Sequence, residues 1–185
     1  LGDRLRWELI LVDDGSRDRT AERATALSKR DSRVRAASLV RNSGQTTATR
    51  VGIELARAPL IATLDADLQN DPSDLPAMID LLVENPDVHA IVGYRMVRRD
   101  NLVRRVSSRI GNGVRNRLSG DDIRDTGCSL KVFRAAPLKN MPLFEGMHRF
   151  LPTLLRFHGY QVMEHPVSHR PRVAGESKYG VLNRA

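Results

Sequence analysis

The chain has 185 residues, 41% of them hydrophobic, with a single cysteine, enough for one globular domain with a sizeable core and too few thiols for an internal disulfide. No apolar run is long enough to cross a membrane, and no repeat or low-complexity stretch interrupts the chain. The net charge of +8 is divided unevenly: residues 1–92 hold 12 Lys/Arg against 15 Asp/Glu, a net of −3, and residues 93–185 hold 18 against 7, a net of +11. The first half therefore suits a cation and the second suits anions: nucleic acid, a membrane surface or a phosphorylated substrate.

Trp7 to Val12 is a short apolar run with β-branched members and ends in Asp13-Asp14-Gly15-Ser16, the pattern of a buried strand running into a turn. A helical pattern follows over Thr20 to Lys29, then a strand over Val34 to Val40. Asn42 or Ser43 is placed to cap a helix reaching about Ala56. Leu60 to Leu64 reads as a third strand, Asp71-Pro72-Ser73 opens a helix to about Val83, and Val88 to Val92 is a fourth strand. Beyond Gly93 come a helix over Asn101 to Leu118, a strand over Gly127 to Phe133, a helix over Met147 to Phe157 and a last strand over Gln161 to Ser168. Strands that alternate with helices and are apolar throughout predict an α/β fold, a mostly parallel sheet with helices on both faces.

Ligands of such sheets bind beyond the carboxyl ends of the strands. Three polar turns fall there: Asp13-Asp14, Asn42-Ser43-Gly44 and Asp65-Ala66-Asp67. Two carboxylates two residues apart, Asp65 and Asp67, suit Mg²⁺ or Mn²⁺ bound together with a diphosphate, although such pairs also serve as loop caps. Asp13 and Asp14 can hydrogen-bond a ribose or base edge, or simply cap the turn. Arg41 to Gln45 opens a helix whose N–H groups favour an anion or form an ordinary cap.

Eight arginines lie between Arg95 and Arg117 against one acid, Asp100. Val103, Val106, Ile110, Val114 and Leu118 form an apolar stripe beside them. A face of one sign next to such a stripe suggests a phosphate site or a membrane-interface helix, the alternative being a solvated face. Asp125 can act as a base or neutralise nearby arginines. The histidines show no metal-ligand spacing, and His148, at a helix start, reads as structural.

The stretches Glu8–Thr20, Arg41–Ala48, Leu60–Pro76, Arg104–Leu118, Asp125–Arg134, Met147–Tyr160 and His169–Gly180 together resemble the family-2 glycosyltransferases of the A-type, Rossmann-like fold. Within that family the chain is similar to the dolichol- or polyprenyl-phosphate mannosyl- and glucosyltransferases. The resemblance implies a metal-dependent, inverting transfer of a hexose, mannose favoured, from GDP-mannose or a UDP-hexose to a polyprenyl or dolichyl phosphate at the cytoplasmic face of the membrane. It implies that Asp13, Asp14, Gly15, Ser16, Arg41, Asn42, Gly44, Gln45, Asp65 and Ala66 line the nucleotide-sugar site. It further implies that Asp65, Asp67 and Gln69 hold the metal and diphosphate, with Asp67 and Asp125 catalytic. Arg95, Arg104, Ser108, Arg170 and Lys178 are then expected at the acceptor phosphate, the last two on a loop from His169 to Tyr179 that closes over the substrates.

Relatives usually begin with a strand ending in Pro-x-Tyr-Asn-Glu and continue into membrane helices after the Ser-Lys-Tyr segment. Neither is found here, so the expectation is a single catalytic domain over residues 1–185 that is a fragment, lacking its N-terminal donor-binding strand and a C-terminal membrane segment. Two rival readings are transfer to a saccharide hydroxyl, which needs Asp125 as a base, and a nucleic-acid-binding module. The second is disfavoured because aromatics are only 4%, leaving few stacking platforms, and because acids gathered at strand ends repel a phosphate backbone.

Overall fold

The structure is a computed structural model and describes residues 4–95, 123–142 and 144–170. The expected helix over Asn101 to Leu118, with Arg104 and Ser108, and the segment carrying Lys178 lie outside these residues. In chain order the elements are β1 (Leu9–Asp13), α1 (Thr20–Arg30), β2 (Val34–Ser38), α2 (Gln45–Leu55), β3 (Leu60–Thr63), α3 (Leu75–Glu84), β4 (Val88–Arg95), β5 (Lys131–Arg134), α4 (Ala135–Lys139), α5 (Leu151–Phe157) and β6 (Gln161–Val167). Single 3₁₀ turns, Pro72–Asp74 and Met147–Arg149, lead into α3 and α5.

β1 and β2 pair in parallel from Leu9↔Val34 to Asp13↔Ser38, with α1 as the crossover. The other four strands are ordered β3-β5-β4-β6. Within this sheet β4 and β6 are parallel, while β5 runs antiparallel to both β3 and β4. Three of its four strands thus share one direction, and β5 is the reversed member. Reversal has a consequence for function: it brings the start of β5, from Ser129 onward, against the carboxyl end of β3. β5 begins at Lys131, later than the expected Gly127, because residues 125–130 form a turn, with the Cys128 N–H donating to the Asp125 carbonyl at 3.3 Å. Gly93 permits this turn to pass, since a Cβ there would lie 2.9 Å from the Leu130 carbonyl oxygen.

Side chains alternate across a strand, and the core divides accordingly. Ala90, Val92 and Phe133 pack with Ile53 of α2, Leu138 of α4 and Leu151 and Leu155 of α5. Ile91 and Val132 pack with Met78, Ile79 and Leu82 of α3. Helices therefore cover both faces of the β3–β6 sheet. α3 is well specified locally: the Asp71 carboxylate accepts from the Ser73 N–H at 3.0 Å, and prolines stand in the first turns of the 3₁₀ segment and of the helix, where no N–H is missed.

Candidate active site

The turn after β1 meets the turn after β2. Buried Asp13 accepts from the Ser16 N–H at 3.1 Å and from Ser38 Oγ at 2.9 Å, and hydrogen bonding by Ser16, its side chain foremost, and by Ser38 holds its carboxyl below the ordinary range against the effect of burial. Asp14 reaches across to the second turn, where Oδ1 accepts from the N–H groups of Ser43 at 2.7 Å and Gly44 at 3.1 Å. Asn42 donates its side-chain amide to the Asp14 carbonyl at 3.1 Å. This corrects the expected cap: neither Asn42 nor Ser43 caps α2. The N-cap is Gly44 at φ 89°, and the anion at the helix opening is the Asp14 carboxylate itself. Gly15, at φ 64°, lets the Arg41 backbone lie against it, while the Arg41 side chain is exposed.

Gln45, the first residue of α2, donates Nε2 to Asp65 Oδ1 at 2.8 Å, tying that helix to the end of β3. The loop from Asp65 to Asn70 is held at both ends by one side chain: Ser129 Oγ accepts from the Asp65 N–H at 3.2 Å and from Asn70 Nδ2 at 2.8 Å. Between them Asp67 Oδ1 accepts from the Gln69 N–H at 3.2 Å, and Leu68 takes φ 61°, a left-handed conformation that costs a branched residue about 1–2 kcal/mol. Ala66 is exposed, and Asp65, Asp67 and Gln69 are half-buried.

The segment after β6 lies along the same loop. Asn70 bridges His169, the Arg170 N–H donates to the Gln69 carbonyl at 2.8 Å, and the Arg170 guanidinium pairs with Asp71. Sequence reasoning placed Arg170 at the acceptor phosphate; the structure puts it beside the Asp65–Asp71 loop.

The resemblance implied separate roles for Arg95 and Asp125, a phosphate ligand and a base, while the residues alone left open that Asp125 neutralises a nearby arginine. Here they bind each other. Arg95 Nε donates to Asp125 Oδ2 at 2.6 Å and its terminal nitrogen to Oδ1 at 2.9 Å, with Asp125 nearly inaccessible. A fork-to-fork pair of this kind fixes both side chains.

Lys131, which the sequence did not single out, and His148, which it marked as structural, lie beside these groups. Lys131, 4% exposed, opens β5 opposite Thr63, and burial pushes its ammonium down to about 8, opposed by the charges of Asp65 and Asp125 among others. His148 bonds through Nδ1 to Thr46 Oγ1 at 2.8 Å, and burial, aided by Arg149 and Lys131, pushes it down to about 4. A charge inside the otherwise apolar run Leu130 to Phe133 was the available signal for Lys131.

The model of glycosyl transferase family 2 matches residues 2–141, most of the chain and all of this site except His169, Arg170 and the Met147–Arg149 turn. The chain belongs to glycosyl transferase family 2. Like this family-2 chain in sequence are a dodecaprenyl-phosphate galacturonate synthase of Rhizobium johnstonii, 43% identical over 95% of the chain and 53% of the relative. An undecaprenyl-phosphate 4-deoxy-4-formamido-L-arabinose transferase of Edwardsiella ictaluri is 38% identical over 96% of the chain and 54% of the relative. The chain thus spans about half the length of these curated relatives. In fold it matches glucosyl-3-phosphoglycerate synthase of Mycobacterium tuberculosis, solved with Mn²⁺ and UDP-glucose, at TM-score 0.65 and 18% identity, over 89% of this chain and 61% of that one. The family-2 chain has the A-type glycosyltransferase fold.

Proposed function

We propose that this chain is the catalytic core of an enzyme that moves a sugar from a nucleotide-sugar to a polyprenyl phosphate at a membrane surface. The observation that carries the reading is the convergence at the end of β3: Asp65 tied to the opening of α2 by Gln45, Asp67 on a strained turn, and the Arg170 segment seated on the same loop. The names of the 43% and 38% identical relatives support a polyprenyl phosphate as the acceptor.

Asp65 and Asp67, with Gln69, are the groups to hold Mg²⁺ or Mn²⁺. Two carboxylates are an all-oxygen donor set, and such ions commonly take one or two carboxylates and fill their remaining positions with phosphate oxygens and water. When bound, the ion stabilises the charge on the departing nucleotide diphosphate. The turns of Asp13–Ser16 and Arg41–Gln45 form the nucleoside side of the site. Asp14 acts there by holding the two turns together, since its carboxylate is already engaged by Ser43 and Gly44.

Chemically, an acceptor phosphate oxygen attacks the anomeric carbon, the bond from that carbon to the nucleotide diphosphate breaks, and its electron pair leaves with the nucleotide. A phosphate monoester has a second pKa near 6, so the nucleophile is already anionic at neutral pH and needs no strong base. The Arg95–Asp125 pair favours this reading over transfer to a saccharide hydroxyl. A carboxylate gripped by a guanidinium through two bonds is a poor proton acceptor, and Asp125 is better placed to aim Arg95 than to take a proton.

The test is transfer to undecaprenyl phosphate by the intact protein, with Mn²⁺, from a panel of UDP- and GDP-sugars including GDP-mannose. The expected result is a glycosyl phospholipid from at least one donor, abolished by chelator and by Asp67→Ala with the fold intact. Undiminished transfer in excess chelator overturns the metal assignment, and transfer to a saccharide alone overturns the acceptor.

A further inference from the structure

The turn that aims Asp67 is held from a distance. Leu68 stands at φ 61°, a conformation that a branched residue keeps only where its surroundings over-determine it. Ser129 fixes the two ends of the loop, at Asp65 and Asn70. Beside Leu68 itself, the Gln69 N–H donates to Asp67 Oδ1 at 3.2 Å and the Gln69 carbonyl accepts from the Arg170 N–H at 2.8 Å. The residue next to the strained one is therefore bound on one side to a candidate metal ligand and on the other to the segment that follows β6.

That segment is tied down by two aspartates at the entry to α3. Asp74 is the N-cap of α3, where a carboxylate ordinarily accepts from the first free N–H groups of its own helix, yet it makes no such bond. Its oxygens instead accept from the Ser168 N–H at 2.8 Å and from Ser168 Oγ at 3.4 Å. Asp71 caps the 3₁₀ turn through the Ser73 N–H and also pairs with the Arg170 guanidinium. Between these anchors Asn70 bridges His169. Three successive residues, Ser168 to Arg170, are thus attached to the stretch from Gln69 to Asp74, and a local helix cap is given up for one of the ties.

We infer that Asp74 and Asp71 are positioning residues for the metal site: by clasping Ser168 to Arg170 they hold Gln69, keep Leu68 in its left-handed conformation and so preset Asp67. The inference rests on the reading of Asp65 and Asp67 as the carboxylates that hold the metal. Asp71 and Asp74 do not touch the ion; they act through Gln69. Without the clasp the turn relaxes at Leu68, and a metal that needs the turn must restore the strain out of its own binding. Affinity then falls by that strain, about 5- to 30-fold for about 1–2 kcal/mol at tenfold per 1.4 kcal/mol. Leu68→Gly removes the penalty, so in that variant the clasp has nothing left to hold.

Mn²⁺ binding to the intact protein in the presence of UDP, read from the loss of the free-ion electron paramagnetic resonance signal, tests it. Asp74→Ala is expected to weaken Mn²⁺ binding about 5- to 30-fold and Asp71→Ala in the same direction, while UDP without metal should bind both variants as it binds the wild type. Asp74→Asn, which keeps an acceptor oxygen for the Ser168 N–H, should restore most of the affinity. In the Leu68→Gly background, Asp74→Ala should change Mn²⁺ affinity less than about twofold, a coupling that a general loosening of the fold does not produce. Amide hydrogen exchange at Arg170 should quicken in Asp74→Ala with and without Leu68→Gly, showing that the clasp has opened in both. Unchanged Mn²⁺ affinity in Asp74→Ala once that exchange has quickened overturns the inference and leaves the metal reading standing, and so does an equal loss of affinity with and without Leu68→Gly. Exchange that does not quicken shows that Asp74 does not hold the segment and overturns it too. A wild type that binds UDP but no Mn²⁺ overturns the metal assignment and the inference with it.

Discussion

The burial of Lys131 leaves a signature in stability. Its ammonium titrates at about 8 in the folded chain against an ordinary 10.5. Between those values the unfolded chain binds more protons than the folded one, so stability rises with pH from about 8 to about 10.5, and below 8 the full cost is present. A shift of this size corresponds to on the order of 3 kcal/mol. Lys131→Met should therefore be more stable than the wild type near pH 7, with the difference shrinking as pH approaches 10 in urea unfolding. A difference that does not change with pH would mean that the ammonium is solvated. Functional sites tolerate destabilising groups of this kind. His148 has the same sign at acid pH: its ring, pushed down to about 4, favours the neutral fold, and stability falls as pH drops from 6.5 toward 4.

At the scale of elements, the sequence displayed the strands and their polar ends but not how the ends interlock. Asp13-Asp14, Asn42 to Gln45 and Asp65-Ala66-Asp67 were legible because each follows an apolar run. That the Asp14 carboxylate would close the opening of α2 was not, since its partners lie about thirty residues downstream and Asn42 and Ser43 offered a local cap of the usual type. That Asp125 neutralises an arginine was one of two open options, and the particular partner, Arg95, was hidden by the thirty positions that separate them. Lys131 was hidden by the reversed β5, for only that reversal places it beside the end of β3. The interlock predicts the effect of Gly15→Ala. A Cβ at that position would stand 2.4 Å from the Arg41 carbonyl carbon, at a φ of 64°, so the two turns must part. The expected cost is roughly 2–4 kcal/mol, a fall in Tm of about 5–15 °C for a chain of this size, together with weaker binding of UDP. An unchanged Tm would show that the turns are not locked.

At the scale of the whole molecule the charge division becomes an argument about location. The end of β3 carries Asp65 and Asp67 of the net-negative first half, while residues 93–185 hold a net +11 that, on the proposed function, serves an anionic lipid acceptor. Among the described residues no helix is long and apolar enough to cross a membrane, so what these residues can offer a bilayer is charge. Near an anionic leaflet each Lys or Arg contributes about 1 kcal/mol of attraction, screened over about 10 Å at 0.1 M salt. On the proposed function, such attraction would concentrate the chain at the surface that holds its lipid acceptor. The expected outcome is cosedimentation with phosphatidylserine-containing vesicles at low salt, no cosedimentation with neutral vesicles, and release as salt rises. Binding that survives high salt would mean that the stripe of Val103, Val106, Ile110, Val114 and Leu118 enters the bilayer, because buried apolar area is not screened by ions. No binding to either vesicle would assign the basic half to substrate phosphates alone.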